Sequence, residues 1–143
     1  MKTILLVEDN PDDVLLTKRA FEHSHVLNEI VVAEDGVEAL EYLFGEGKYV
    51  GNRTIPELIL LDLKMPKIGG LEVLERLKAD EDLSLIPVVI LTTSTEEEDL
   101  VNSYKLGANS FIRKPVDFKQ FSDAIEQLGL YWLVLNKGIP DTI

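Results

Sequence analysis

Glu8, Asp9, Asp62, Thr92 and Lys114 are the residues whose types could do chemistry together. Each falls just past a short apolar run. Ile4-Leu5-Leu6-Val7 leads into Glu8 and Asp9, Leu58-Ile59-Leu60-Leu61 into Asp62, and Val88-Val89-Ile90-Leu91 into Thr92. Ser110-Phe111-Ile112 leads into Arg113-Lys114-Pro115. If these runs are parallel strands, their carboxyl ends share one rim. That rim would gather three carboxylates, a hydroxyl and an ammonium. Hard oxygen ligands beside a phosphate suit magnesium, which keeps several waters and wants octahedral geometry. Aspartate can also act as a nucleophile that takes up a phosphoryl group, and Asp62 is the candidate. Three carboxylates at short range resist ionising together. A metal ion and Lys114 would relieve that repulsion and neutralise charge on a transferring phosphoryl group. Thr92 is placed to hydrogen-bond a phosphate oxygen. Taken singly, each residue has an ordinary reading as a cap, a strand-end hydroxyl or a surface charge, so it is the joint arrangement that carries the inference.

The elements that must position these residues follow from the patterning. Strands are expected at Thr3–Val7, Glu29–Ala33, Leu58–Leu61, Val88–Leu91 and Ser110–Ile112, most of them apolar throughout, as in a parallel sheet covered on both faces. Asn10-Pro11-Asp12-Asp13 offers a cap, a proline for the first helical position and acid for the first turn. A second helix is expected over about Gly36 to Phe44 with Gly45 as its stop, and a third over Leu71–Ala79. Thr95-Glu96-Glu97-Glu98 and Asp117-Phe118-Lys119-Gln120 read as capping boxes for two more. Gly45–Pro56 reads as a long loop before the third strand, either functional or simply a spacer. Five strands alternating with five helices predict a doubly wound α/β fold with helices on both faces and a site beyond the strands' carboxyl ends.

Composition bounds the rest. The chain has 143 residues, 45% of them hydrophobic, enough for one domain with one core. A net charge of −12 leaves no basic stripe for nucleic acid. No cysteine is present, which excludes disulfides and thiolate chemistry. The apolar runs are too short to span a bilayer and the start shows no cleavage pattern, so a cytoplasmic address is expected. His23 and His25 face different sides of a helix and read as surface residues without a partner.

Ile4-Leu5-Leu6-Val7-Glu8-Asp9-Asn10, Leu60-Leu61-Asp62-Leu63-Lys64-Met65-Pro66 with Gly70, Pro87-Val88-Val89-Ile90-Leu91-Thr92-Thr93 and Phe111-Ile112-Arg113-Lys114-Pro115 together resemble the response-regulator receiver family over nearly the whole chain. The resemblance implies a flavodoxin-like (βα)5 sandwich with strand order 2-1-3-4-5 and a single receiver domain over residues 1–143, its last helix extended over about 130–143. It implies that Asp62 is phosphorylated by a sensor histidine kinase. Magnesium would be bound by Asp9, Asp62 and the Lys64 carbonyl directly, and by Glu8 through water. It further implies that Lys114 pairs with the phosphoryl group, that the Lys114–Pro115 bond is cis, and that Thr92 and Phe111 form a switch pair. The outcome would be a population shift in the face built from the fourth helix, fifth strand and fifth helix. Lys64 and Ser94, two positions beyond Asp62 and Thr92, tend to set the phosphoryl lifetime. The long loop and the ending Tyr131-Trp132-Leu133-Val134-Leu135-Asn136 resemble the small receivers that serve bacterial phytochromes.

Phe118, Phe121, Ile125, Leu128, Trp132 and Leu135 form a stripe along the last helix. Phe121, Ile125 and Leu128 are expected to pack on the sheet, and Tyr131, Trp132 and Leu135 to form a homodimer or kinase-docking surface. A magnesium-dependent phosphatase would want an aspartate where Lys64 stands. A flavin carrier would want a glycine- and hydroxyl-rich loop where Glu8-Asp9-Asn10-Pro11-Asp12 stands. A signalling phosphoacceptor, not a turnover enzyme, is therefore the expectation, acting by docking or by passing its phosphoryl group to a histidine phosphotransfer protein.

Overall fold

The computed structural model describes residues 3–24, 28–65, 67–92 and 108–127. Its strands are β1 (Thr3–Val7), β2 (Glu29–Ala33), β3 (Leu58–Asp62), β4 (Val88–Thr92) and β5 (Ser110–Arg113). Its helices are α1 (Pro11–His23), α2 (Gly36–Phe44), α3 (Gly70–Ala79) and α4 (Phe118–Gln127). α4 is the fifth helix of the sequence reading. The helix expected from Thr95 lies outside the described residues, as do His25, Leu128, Tyr131, Trp132 and Leu135.

The strands form one parallel sheet in the order β2-β1-β3-β4-β5, the doubly wound topology expected. β1, β3 and β4 are buried at every residue, whereas the edge strands β2 and β5 are only partly covered. Alternation along the strands divides the interior in two. Leu5, Val7, Ile59, Leu61, Val88 and Ile90 face α2 and α3, where Leu43, Val73, Leu74 and Leu77 meet them. Ile4, Leu6, Leu58, Leu60, Val89 and Leu91 face α1 and α4, where Phe21, Phe121 and Ile125 meet them. Each such side chain removed from water contributes roughly 1.5–3 kcal/mol, so the sheet is a rigid platform for its carboxyl-end rim. Phe121 and Ile125 thus pack on the sheet as expected.

The helix ends follow their residues. The Asn10 side chain accepts the N–H groups of Asp12 (2.8 Å) and Asp13 (3.3 Å), satisfying donors that α1 leaves open. α2 is capped by Asp35, which accepts from the Glu38 N–H, and ends at Gly45 in the left-handed region (φ 67°). At α4 the Asp117 carboxylate accepts the Gln120 backbone N–H, and the Gln120 side-chain oxygen Oε1 accepts the Arg113 N–H.

The Gly45–Pro56 loop holds a 3₁₀ turn at Gly47–Tyr49, Tyr49 packs edge-on against Tyr42, and Arg53 Nε donates to the Leu43 carbonyl. One expectation changes. His23 is exposed as predicted but has a partner, the Phe118 ring, stacked on it at 4.0 Å.

Candidate functional site

The rim at the strands' carboxyl ends is built by short polar continuations of apolar strands. Glu8 follows β1, its N–H bonded to the Ala33 carbonyl of β2. Asp62 is itself the last residue of β3, paired with Leu91. Thr92 closes β4, and its carbonyl accepts the Lys114 N–H at 2.8 Å. That bond fixes the β5 end beside β4, and the Lys114–Pro115 peptide bond there is cis.

The carboxylates of Glu8, Asp9 and Asp62 each bring an oxygen within 4.8 Å of the others. Glu8 has no exposure, Asp62 is 3% exposed, and Asp9 is open to solvent. Lys114 crosses this acid group. Its Nζ donates to Asp62 Oδ2 at 3.0 Å and to Glu8 Oε2 at 3.1 Å. It also approaches Glu8 Oε1 to 2.8 Å, though no described hydrogen-bond donor is aligned on that buried oxygen. The other Asp62 oxygen accepts the Lys64 N–H at 3.1 Å.

Burial sets the electrostatics. Loss of water around Glu8 pushes its carboxyl up from 4.5 to about 7, with the Asp62 charge adding and Lys114 opposing. Burial alone would lower the Lys114 ammonium, but its hydrogen bonds to Glu8 and Asp62 outweigh that and hold its proton more firmly than usual. The site carries more negative charge than one lysine balances. Together with the unsatisfied Glu8 oxygen and the all-oxygen donor set, this excess fits a small hard cation.

The structure thus brings Glu8, Asp9, Asp62 and Lys114 together and sets Thr92, 6% exposed, on the same rim. Phe111 on β5 is partly buried against the α2–α3 core, one strand from Thr92. The Lys64 side chain is exposed. One residue was missed: Asp13 in the first turn of α1 places Oδ2 3.1 Å from Lys114 Nζ. Its first-turn position is fully explained by helix capping, so nothing in the sequence sets it apart. Gly70 was noted only as part of a motif, yet a Cβ there would collide with the Asp62 carbonyl oxygen.

Comparison with known proteins gives the family and the fold. The family model of the response regulator receiver domain matches residues 4–126. The chain is 39% identical to the response regulator Rcp1 of Synechocystis over 92% of its own length and 89% of Rcp1. A solved structure of Rcp1 is a Mn(2+)-bound form (TM-score 0.78, 37% identity, 98% of this chain and 99% of that one). The bacteriophytochrome response regulator AtBRR is 53% identical with a TM-score of 0.85, covering 96% of this chain and 99% of that one. The phosphorylated cyanobacterial phytochrome response regulator RcpA is 43% identical with a TM-score of 0.78, covering 95% and 96%. An acid rim crossed by a lysine, on a 2-1-3-4-5 sheet matched by that family model over most of its length, leaves one assignment: the chain belongs to the response regulator receiver domain family.

Proposed function

We propose that this chain is the phosphoacceptor of a two-component pathway, in which Asp62 takes a phosphoryl group from the phosphohistidine of a sensor kinase and magnesium is required. The observation that carries the reading is Lys114 Nζ at 3.0 Å from Asp62 Oδ2 on an otherwise acidic rim. Nucleophile and charge-neutralising cation are already together. In the transfer, an Asp62 carboxylate oxygen bonds to phosphorus as the phosphorus–nitrogen bond to the kinase imidazole breaks, and the imidazole keeps that electron pair. Lys114 neutralises charge on the phosphoryl oxygens and the Thr92 hydroxyl hydrogen-bonds one of them. Asp9, Asp62 and the Lys64 carbonyl would hold the ion, with Glu8 acting through water. When bound, magnesium supplies the positive charge that the gathered carboxylates and phosphoryl oxygens lack.

Phosphorylation would draw Thr92 toward the phosphate and turn Phe111 inward, shifting the face formed by the Thr95 helix, β5 and α4. The names of RcpA and AtBRR support a phytochrome-type kinase as the donor. We read residues 1–143 as one receiver domain with an extended last helix. Its Tyr131, Trp132 and Leu135 would serve dimerisation or kinase docking, with a histidine phosphotransfer protein as a downstream acceptor. A cytoplasmic address suits that role, and no described helix is long and apolar enough to cross a membrane.

The test is intact mass after incubation with acetyl phosphate and magnesium. The parent should gain one phosphoryl group, and Asp62→Asn should gain none. An equal gain in both would overturn Asp62 as the acceptor.

A further inference from the structure

Lys114 meets a carboxylate that the acid rim does not need. Asp13 Oδ2 lies 3.1 Å from Lys114 Nζ, only slightly farther than Asp62 at 3.0 Å and Glu8 at 2.8 Å, yet Asp13 is not among the three carboxylates that converge. It comes from α1, not from a strand end. Its backbone is held from both sides: the Asn10 side chain accepts its N–H, and Thr17 Oγ1 donates to its carbonyl at 2.8 Å. Thr17 is itself fully buried, so the first turn of α1 is a fixed mount. An ammonium has three protons to give, and three carboxylates stand within 3.1 Å of this one.

We propose that Asp13 is a positioning residue that restrains Lys114 and thereby opposes retention of a phosphoryl group on Asp62. This rests on the phosphoacceptor reading and deepens it. A phosphoryl group on Asp62 needs Lys114 to turn a proton toward its oxygens, away from an existing partner. An aspartyl phosphate also carries more negative charge than the carboxylate it replaces, and a fixed Asp13 carboxylate repels it. The direction of the effect follows from what stays behind. Without the Asp13 charge, Glu8 and Asp62 still hold Lys114 in place at 2.8 and 3.0 Å. The lysine therefore remains at the site, freed from one competitor.

The experiment compares the parent, Asp13→Asn and Asp13→Glu for beryllofluoride affinity with magnesium, for phosphorylation by acetyl phosphate, and for magnesium affinity alone. Asp13→Asn should bind beryllofluoride and accept phosphate about threefold to fivefold better, the scale of a partly exposed ion pair. Asp13→Glu, which keeps the charge, should stay at the parent level, and magnesium affinity should not fall in Asp13→Asn. A damaged fold cannot imitate this result, because damage lowers uptake. Equal or weaker uptake by Asp13→Asn, or an Asp13→Glu that behaves like it, overturns the proposal while leaving the phosphoacceptor reading intact. A fall in magnesium affinity overturns it too, by making Asp13 part of the metal site. No uptake by the parent overturns both.

Discussion

Glu8 and Lys114 are separated by 106 positions in the chain, yet Lys114 Nζ stands 2.8 Å from Glu8 Oε1. β1 and β5 are not neighbours in the sheet: β3 and β4 lie between them. Only the long reach of a lysine across the rim closes the distance. The pair bridges the β1 and β5 ends across Asp62, so acceptor chemistry and the stability of the sheet meet at one contact.

Burial of the Glu8 carboxyl, which Lys114 only partly offsets, makes metal binding depend on pH. The Glu8 carboxyl is raised from 4.5 to about 7, so the folded chain holds this proton more tightly than the unfolded chain does. Its contribution to the stability of the metal-free protein is fully present below 4.5 and is lost as pH rises through about 7. Magnesium favours the ionised form, so its affinity should rise over the same window, by up to about tenfold per pH unit below 7, then level off. Calorimetry in buffers of different ionisation enthalpy should show proton release on binding near pH 6, absent in Glu8→Gln. Equal affinity at pH 6 and pH 8 contradicts the assignment.

Gly70→Ala sets two effects against each other. In an exposed helix the change would stabilise by about 1 kcal/mol. Here the new methyl would strike the Asp62 carbonyl oxygen and come within 2.8 Å of Leu63 Cα, both of them backbone atoms. The clash should win, with a net loss of about 1–3 kcal/mol in denaturant unfolding and at least about tenfold weaker magnesium binding. A stabilised variant with parental metal affinity would show that the loop has room to move.

Phe121→Ala should separate stability from chemistry. Phe121 is fully buried with its ring 4.3 Å from that of Phe21, joining α4 to α1. Removing it should cost about 3–5 kcal/mol in urea unfolding. Magnesium affinity below the unfolding transition should stay at the parental value, because the acid rim lies outside this cluster. A parallel loss of metal affinity would mean that the α1–α4 contact also shapes the rim.

Much of this was legible in the sequence because parallel strands buried on both faces must be apolar throughout, and their polar continuations must then sit on one rim. The strand ends were read one residue short at Asp62, Thr92 and Arg113, since a polar side chain hides a backbone that still pairs in the ladder. The strand order came from the family resemblance, because spacing alone does not order a sheet. Asp13 escaped notice because its contact is made across the fold, whereas its local role in the first turn already accounts for it. The His23–Phe118 stack was hidden for the same reason: its two rings lie on α1 and α4, far apart in sequence.

Whether Asp62 itself carries the phosphoryl group is decided by reductive trapping: after treatment with acetyl phosphate and magnesium, borohydride converts an aspartyl phosphate to homoserine, and peptide mass spectrometry locates that residue. Homoserine is expected at position 62 alone, and it should be lost when magnesium is chelated. Homoserine at Asp9 or Asp13, or an adduct that resists borohydride and sits elsewhere, would contradict Asp62 as the acceptor.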